Sequence, residues 1–357
     1  MEKNEKRHGK KRKLKKRVKL TIFTLCMLVI ASGGLYFIYQ YNSGVSLANT
    51  TTNEIETGLN DNSTDSIYDP FEGADAEFGE INVLLIGNDA RGDEEDSRSD
   101  ALMIGHYDQD TNKVKLVSLM RDTYVEVPGY GMQRINAAYS FGGPELVRQT
   151  IKHNFDVDVQ YYAIVNFEGF SKIVDVIAPD GIDVDIPYTM SHGIGMTLEP
   201  GKQSLNGEQL LGYVRFRHDI HSDFGRVQRQ QEALSKLKEQ AMSVKTLFNL
   251  PKVLGVVDPY IDTNIDKRTL LTIGKGLMTG DKPEELETLR IPLEGSFDDK
   301  RVNVGEVLDI NLYKNREALQ EFLSTDAQKE EEEAEAQSTE TEEDLYYSGS
   351  DVEDSQK

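Results

Sequence analysis

Hydrophobic positions divide the chain into one long uninterrupted apolar run near the start and a series of short runs from residue 78 onward. Leu20–Tyr39 is apolar and uncharged over about 20 residues, enough to span a bilayer as a helix. Ile81–Ile86 is nearly continuous, the pattern of a strand buried on both faces. Ala101–Tyr107 and Lys113–Leu119 read as paired strands around a turn at Asp108–Asn112. Val125–Asn136, with Pro128, Gly129 and Gly131, reads as a loop. Pro144–Phe155 reads as a helix with proline in its first turn and Leu146, Val147 and Ile151 inward. Tyr161–Val165 and Ile182–Ile186 are predicted strands, and Phe167–Ile177 a helix with Phe170, Ile173, Val174 and Ile177 on one side. Tyr188–Glu199, rich in Gly and Met, reads as a loop that could serve as a lid. Asn206–Leu211 is a short helix, Tyr213–Arg217 an extended segment, Asp219–Asp223 a loop, and Phe224–Met242 a long helix with Asp223 as its N-cap. Thr246–Val256, Lys267–Met278 and Val304–Leu323 contain further helical segments. Strands alternating with helices predict an α/β fold, three-layer α/β/α, with helices on both faces of a central mixed sheet.

Charge sorts the ends. Residues 1–19 hold eleven Lys and Arg against Glu2 and Glu5, although the whole chain carries a formal charge of -22. A basic segment directly before an apolar span predicts a cytoplasmic N-terminus and an extracellular remainder. Tyr36, Tyr39 and Tyr41 fall where an interfacial aromatic belt belongs. The alternative is a signal peptide cleaved near Ala31–Gly33. The apolar run continues past those small residues, which favours an uncleaved single-pass anchor in the cell membrane. The basic arm then orients the span and touches anionic lipid, with no nucleic acid partner expected. The predicted organisation is a basic cytoplasmic segment (1–19), a transmembrane anchor (20–41), a flexible spacer (42–77), a globular domain (78–323) and an acidic disordered tail (324–357) containing Glu330–Glu333. The single cysteine, Cys26, excludes an internal disulfide and a multi-cysteine metal site.

The candidate chemistry lies in Leu211–Gln231. Arg215, Arg217, Arg226 and Arg229 crowd together there in an acidic protein, and guanidinium forks fit phosphate oxygens. On an extended segment Tyr213, Arg215 and Arg217 share one face. On the helix Arg226, Arg229 and Gln230 fall within about a third of the circumference. The loop after Ile81–Ile86 adds Asp89, Arg91, Arg98 and Asp100 at a strand end, where α/β proteins place ligands. Arg121 ends another strand beside Asp122. Arg134 follows in the next loop. Two aspartates without Cys or His suit a hard cation such as Mg²⁺ or Mn²⁺ bound with phosphate oxygens, and several arginines around it suggest a pyrophosphate. No Walker loop, Gly-rich nucleotide fingerprint or serine elbow is present. His218 and His221 flank the arginines and could help hold anions.

These motifs also resemble a family. GNDAR…RSDALMIG, SLMRDTYV, RINAAYSFGG, NFEGF…IVD and YVRFRHD…DFGRVQRQQ occur in order behind a single N-terminal anchor. They are similar to the LytR–CpsA–Psr family of Gram-positive bacteria over about Ile81–Val257. The resemblance implies an α/β/α domain enclosing an apolar tunnel for the lipid of a polyprenyl-pyrophosphate-linked glycopolymer. It implies transfer of a polymer such as teichoic acid or capsule to a muramic-acid hydroxyl of peptidoglycan, with polyprenyl phosphate released. Asp89 and Asp100 would hold Mg²⁺. Arg98, Arg121, Arg215, Arg217, Arg226, Arg229 and Gln230 would bind the pyrophosphate, with Arg91 and Arg134 as further candidates. Arg121, Asp89 and Asp100 would be catalytic. Met120 stands where the family usually has proline, which predicts a looser turn. Ala178-Pro179-Asp180-Gly181 replaces the usual Gly-Gly, which predicts a different tunnel mouth. Asp122 and Asp223 are both options for the base. A non-catalytic lipid-glycan binding or regulatory protein of the envelope, and a pyrophosphatase using water as acceptor, are the competing readings.

Overall fold

The computed structural model describes residues 36, 38–46, 68–75, 79–88, 99–219, 222–241, 252–253, 255–266, 268–270, 272–274 and 286–324. Residues 20–35 of the expected anchor, most of the spacer and the acidic tail lie outside them. Among the described residues no helix is long and apolar enough to cross a membrane.

The core is a six-stranded mixed sheet in the order β10-β3-β2-β1-β6-β9. Its strands are β1 (Glu80–Asn88), β2 (Ser99–Asp108), β3 (Val114–Leu119), β6 (Tyr161–Asn166), β9 (Ile261–Thr263) and β10 (Glu287–Ile291). β1 pairs antiparallel with β2 and parallel with β6, so the expected mixed sheet is present. Side chains alternate across a strand, and here both sides are apolar. Leu84, Ile86, Leu102 and Ile104 point to one face. There they pack on α1 (Ala137–Phe155) and α5 (Leu312–Leu323). Leu85 and Met103 point to the other face, toward α2 (Phe167–Ile177), α3 (Gly207–Arg215) and α4 (Ser222–Ala241). Helices therefore cover both faces, as expected.

Two small sheets complete the domain. One is β11-β12-β4-β5, formed by Phe297–Val302, Gly305–Ile310, Thr123–Val127 and Gly131–Arg134. The other is the hairpin β7 (Ile182–Ile186) and β8 (Gly201–Leu205), which packs with α2, α3 and α4 in a second core.

Several elements differ from the sequence reading. Tyr213 and Arg215 are helical, not extended, because α3 runs on to Arg215. A capping box starts it: the Asn206 side chain accepts from the Gln209 N–H, and the Gln209 side chain accepts from the Asn206 N–H. Leu210, Tyr213 and Val214 then bury at helical spacing. Val125–Asn136 is largely the hairpin β4–β5 rather than a loop. Val304–Leu323 holds the expected helix, α5, but opens with strand β12. Asp223 lies inside the first turn of α4 rather than at its cap.

Candidate functional site: an arginine cluster at an apolar cavity

Between the sheet and α2–α4 lies a cavity of about 510 Å³. Leu85, Met103, Phe170, Val214, Leu234 and Leu237 give it an apolar wall, and Asp100, Arg215, Arg217, Arg226 and Gln230 a charged one. His192 and His218 also line it, their ring centroids 3.8 Å apart.

A backbone irregularity aims Asp100. Gly87 pairs with Ala101 and Asn88 with Ser99, so Asp100 is one extra residue opposite β1. Such a bulge re-aims the side chain it inserts. Asp100 therefore joins Ala101 on the cavity side, where its Oδ1 accepts from Arg217 Nη2 at 2.8 Å.

Arg121 occupies the turn between β3 and β4. Its Nε donates to Asp223 Oδ2 at 2.9 Å and to Asp122 Oδ2 at 3.1 Å, and its Nη1 lies 3.9 Å from Asp100 Oδ1. Burial alone would lower its pKa, but Asp223, Asp122 and Asp100 together raise it. The turn is not loose. The Met120 N–H, which a proline would lack, donates to the Ile291 carbonyl at 2.8 Å, and the Met120 carbonyl accepts from Thr123 N at 3.0 Å. The Met120 side chain is buried against Val227 of α4 and Leu308 of β12, tying the Arg121 turn to the helix that carries Arg226 and Arg229. Ala178–Gly181 forms the turn between α2 and β7 and is not part of the cavity lining, so that departure leaves the cavity wall intact.

Among the described residues, Arg226 has the most buried cationic nitrogens without a partner. It is 3% exposed. Its Nη2 meets Asp223 Oδ2 at 3.2 Å, while Nε and Nη1 are buried with no partner. Burial, then repulsion from Arg217 and Arg121, pushes its pKa down to about 10 despite the nearby Asp223 and Asp100. It remains a cation at neutral pH, held where an anion would satisfy it.

Arg229 is used differently. Its Nη1 donates to Asp219 Oδ2 at 2.6 Å and its Nη2 to the Phe216 carbonyl. Asp219 also accepts from the Tyr188 hydroxyl at 2.8 Å, tying α4 to the loop after β7. Glycine at 225 makes this possible, since a Cβ there would lie 2.6 Å from Asp219 Oδ2. Arg215 stacks over the Phe167 ring at 4.0 Å. Arg134 reaches the cluster through Asp122, 3.4 Å from its Nη1.

Of the residues singled out from sequence, Asp100, Arg121, Arg215, Arg217, Arg226 and Gln230 thus converge, Arg134 joins them indirectly, and Arg229 lies behind them. Asp89, Arg91, Arg98 and His221 lie outside the described residues. The sequence reading missed Asp219 and Tyr188 as anchors; only their proximity in space reveals them. Among the described residues no group of three or more His, Cys, Asp or Glu is placed to hold a metal ion. Asp100 supplies one carboxylate, which together with phosphate oxygens is chemically sufficient for Mg²⁺.

Fold and site define a class: a mixed α/β domain whose apolar cavity borders a surplus of arginines. The chain belongs to the LytR_cpsA_psr family, whose pattern matches residues 36–321. It is 38% identical over 295 residues to the regulatory protein MsrR of Staphylococcus aureus (strain COL), covering 82% of this chain and 86% of MsrR. It is 31% identical over 286 residues to the polyisoprenyl-teichoic acid–peptidoglycan teichoic acid transferase TagU of Bacillus cereus (strain AH820), covering 79% of this chain and 89% of TagU. The crystal structure of B. subtilis TagV matches with a TM-score of 0.58 at 28% identity, covering 70% of this chain and 98% of that one.

Proposed function

We propose that this chain is a membrane-anchored, extracellular phosphotransferase. It would move an anionic glycopolymer from a polyprenyl-pyrophosphate carrier to a muramic-acid hydroxyl of peptidoglycan. The observation that carries this reading is Arg226, buried with two unpartnered guanidinium nitrogens in the charged wall of an apolar cavity. An amphiphile with a doubly charged head and a hydrocarbon tail satisfies both features at once. The activity in TagU's name supports the same chemistry.

In this reading the prenyl chain lies along Leu85, Phe170, Leu234 and Leu237. Arg217, Arg226 and Gln230 hold the pyrophosphate. Arg121, fixed by Asp122 and Asp223, faces the phosphoryl group being transferred and stabilises its developing charge. The acceptor oxygen forms a bond to the sugar-bearing phosphorus as the bond from that phosphorus to the bridging oxygen breaks. Polyprenyl phosphate leaves with the bridging oxygen, and the acceptor's proton passes to a carboxylate, with Asp122 and Asp223 in reach of Arg121. Mg²⁺ held by Asp100, with Asp89 as second ligand, would supply further charge neutralisation at the phosphate oxygens.

The test is transfer by the full chain in detergent, supplied with lipid-pyrophosphate glycan, peptidoglycan and Mg²⁺. Linked polymer is expected from wild type and none from Arg121→Ala. Equal product from both would remove the assignment of Arg121. The name of MsrR favours a second reading, a regulatory protein that binds the same lipid without turnover. Tight donor binding with no product under any acceptor would select it.

A further inference from the structure

We infer that the tip of the β4–β5 hairpin and the start of α1 form the acceptor subsite, a platform for the sugar rings of the peptidoglycan strand. This rests on the transfer reading above and deepens it. Tyr130 and Phe141 are 51% and 39% exposed, yet their rings stack with centroids 4.6 Å apart and planes at 17°. Met132, 45% exposed, follows two residues after Tyr130 on the edge strand β5.

The platform is built by the backbone. Val127-Pro128-Gly129-Tyr130 is a type II turn, with Pro128 second, Gly129 at φ +80° and the Tyr130 N–H donating to the Val127 carbonyl at 2.9 Å. It presents Tyr130 at the fourth position. Phe141 precedes a break in α1, where Gly142 and Gly143 leave helical geometry and Gly143 takes φ +61°. Two glycine-dependent turns thus hold two aromatic rings together in water. Flat apolar faces beside polar groups suit pyranose rings, whose C–H edges meet the negative face of an aromatic ring while their hydroxyls stay wet.

Position identifies the occupant. Attack on phosphorus places entering and leaving oxygens roughly in line. The prenyl phosphate leaves on the cavity side, beneath α2–α4. The acceptor then enters from the other side of Arg121, where Asp122 joins Arg121 to Arg134 of β5. Met132 shares the face of Arg134 two residues away, about 7 Å along the strand, and Tyr130 sits in the turn that opens the strand. Arg134, on the face of Met132, offers guanidinium donors between the rings and the phosphoryl site. A bilayer fits this surface less well, because Glu126 stands directly opposite Met132 in the β4–β5 pairing and anionic lipid would be repelled.

The test uses the full chain in nanodiscs and soluble peptidoglycan glycan fragments. Binding of fragments is measured by calorimetry without donor, and acceptor KM, donor KM and kcat are measured with donor. The double variant Tyr130→Ala/Phe141→Ala should weaken fragment binding and raise acceptor KM about tenfold, which is about 1.4 kcal/mol, with donor KM unchanged. Tyr130→Leu/Phe141→Leu, which keeps apolar bulk without the rings, should show the same loss if the alanine pair fails to fold. Unchanged acceptor KM and fragment binding in either folded variant would overturn the proposal while leaving transfer itself intact. Loss of liposome binding or of self-association in place of fragment binding would likewise overturn it. If wild type transfers nothing, the fragment measurement still decides the platform on its own.

Discussion

Replacing Arg226 with methionine should make the ligand-free protein more stable and its donor affinity far worse. The guanidinium is almost fully buried, and only one of its nitrogens has a partner, Asp223 at 3.2 Å. Its pKa of about 10, against an ordinary 12.5, corresponds to about 3 kcal/mol against holding the charge there. Two orphaned donors give a similar scale, about 1–3 kcal/mol each. These are two views of one cost and do not add. Asp223 keeps Arg121 at 2.9 Å after the change, so no carboxylate is stranded. Calorimetry of the full chain without ligand should show Arg226→Met stabilised by about 1–3 kcal/mol. At about 2–4 °C per kcal/mol, that raises the melting temperature by a few degrees. With ligand the order reverses. Charge-assisted hydrogen bonds are worth about 1.5–3 kcal/mol each, so losing two should weaken pyrophosphate-lipid binding about 10²- to 10⁴-fold. At about 100 Kd of lipid, wild type should gain about 2.7 kcal/mol and the variant almost nothing. A variant less stable than wild type without lipid, or equally stabilised by it, would refute the view of Arg226 as a cation kept unsatisfied for an anion.

Three further outcomes follow from the structure. His106 is buried opposite Lys115, bonded through Nδ1 to Asn82 at 2.9 Å, and burial first, then Lys115, lowers its pKa to about 4. The unfolded chain takes up the proton near 6.5, so this stability is intact above pH 6.5 and lost as pH falls toward 4, by about 3 kcal/mol in total; His106→Gln should flatten the slope of denaturant stability across that window. Gly225→Ala would press a methyl group on the Asp219–Arg229 pair and should cost about 1–3 kcal/mol, read as a lower melting temperature. Met120→Pro, although it restores the residue usual in the family, should destabilise by about 2–4 kcal/mol, because it removes the bond to Ile291 and the packing on Val227 and Leu308; equal or higher stability would show that the turn does not depend on that bond.

Much of the architecture was legible from hydrophobic pattern. Ile81–Ile86 reads as a doubly buried strand, and it forms β1 of the central sheet, with Leu84 and Ile86 buried on one face and Val83 and Leu85 half-buried on the cavity face. Phe167–Ile177 matches a helix at both ends because its apolar residues keep helical spacing and Asn166 caps it. The errors have physical causes. Tyr213, Arg215 and Arg217 alternate like a strand, yet Leu210, Tyr213 and Val214 bury at helical spacing, and burial outweighed the polar alternation. FDDKRV forms β11 although four of its six residues are charged, since backbone pairing with β12 holds it at the surface. Val125, Glu126 and Val127 do alternate buried, exposed, buried, but Pro128, Gly129 and Gly131 read as loop residues, and they form the tip of the β4–β5 hairpin. The cluster of arginines was visible in composition. Their division of labour was not: one extra residue in β2 aims Asp100, and Asp219 withdraws Arg229 from the cavity wall.

The most direct measurement counts products. Full chain, ³²P-labelled lipid-pyrophosphate glycan, peptidoglycan and Mg²⁺ should yield one polyprenyl phosphate for each polymer linked to the wall, and neither product when peptidoglycan is omitted. Polyprenyl phosphate released at the same rate without peptidoglycan, or no release under any condition despite bound lipid, would contradict the transferase account.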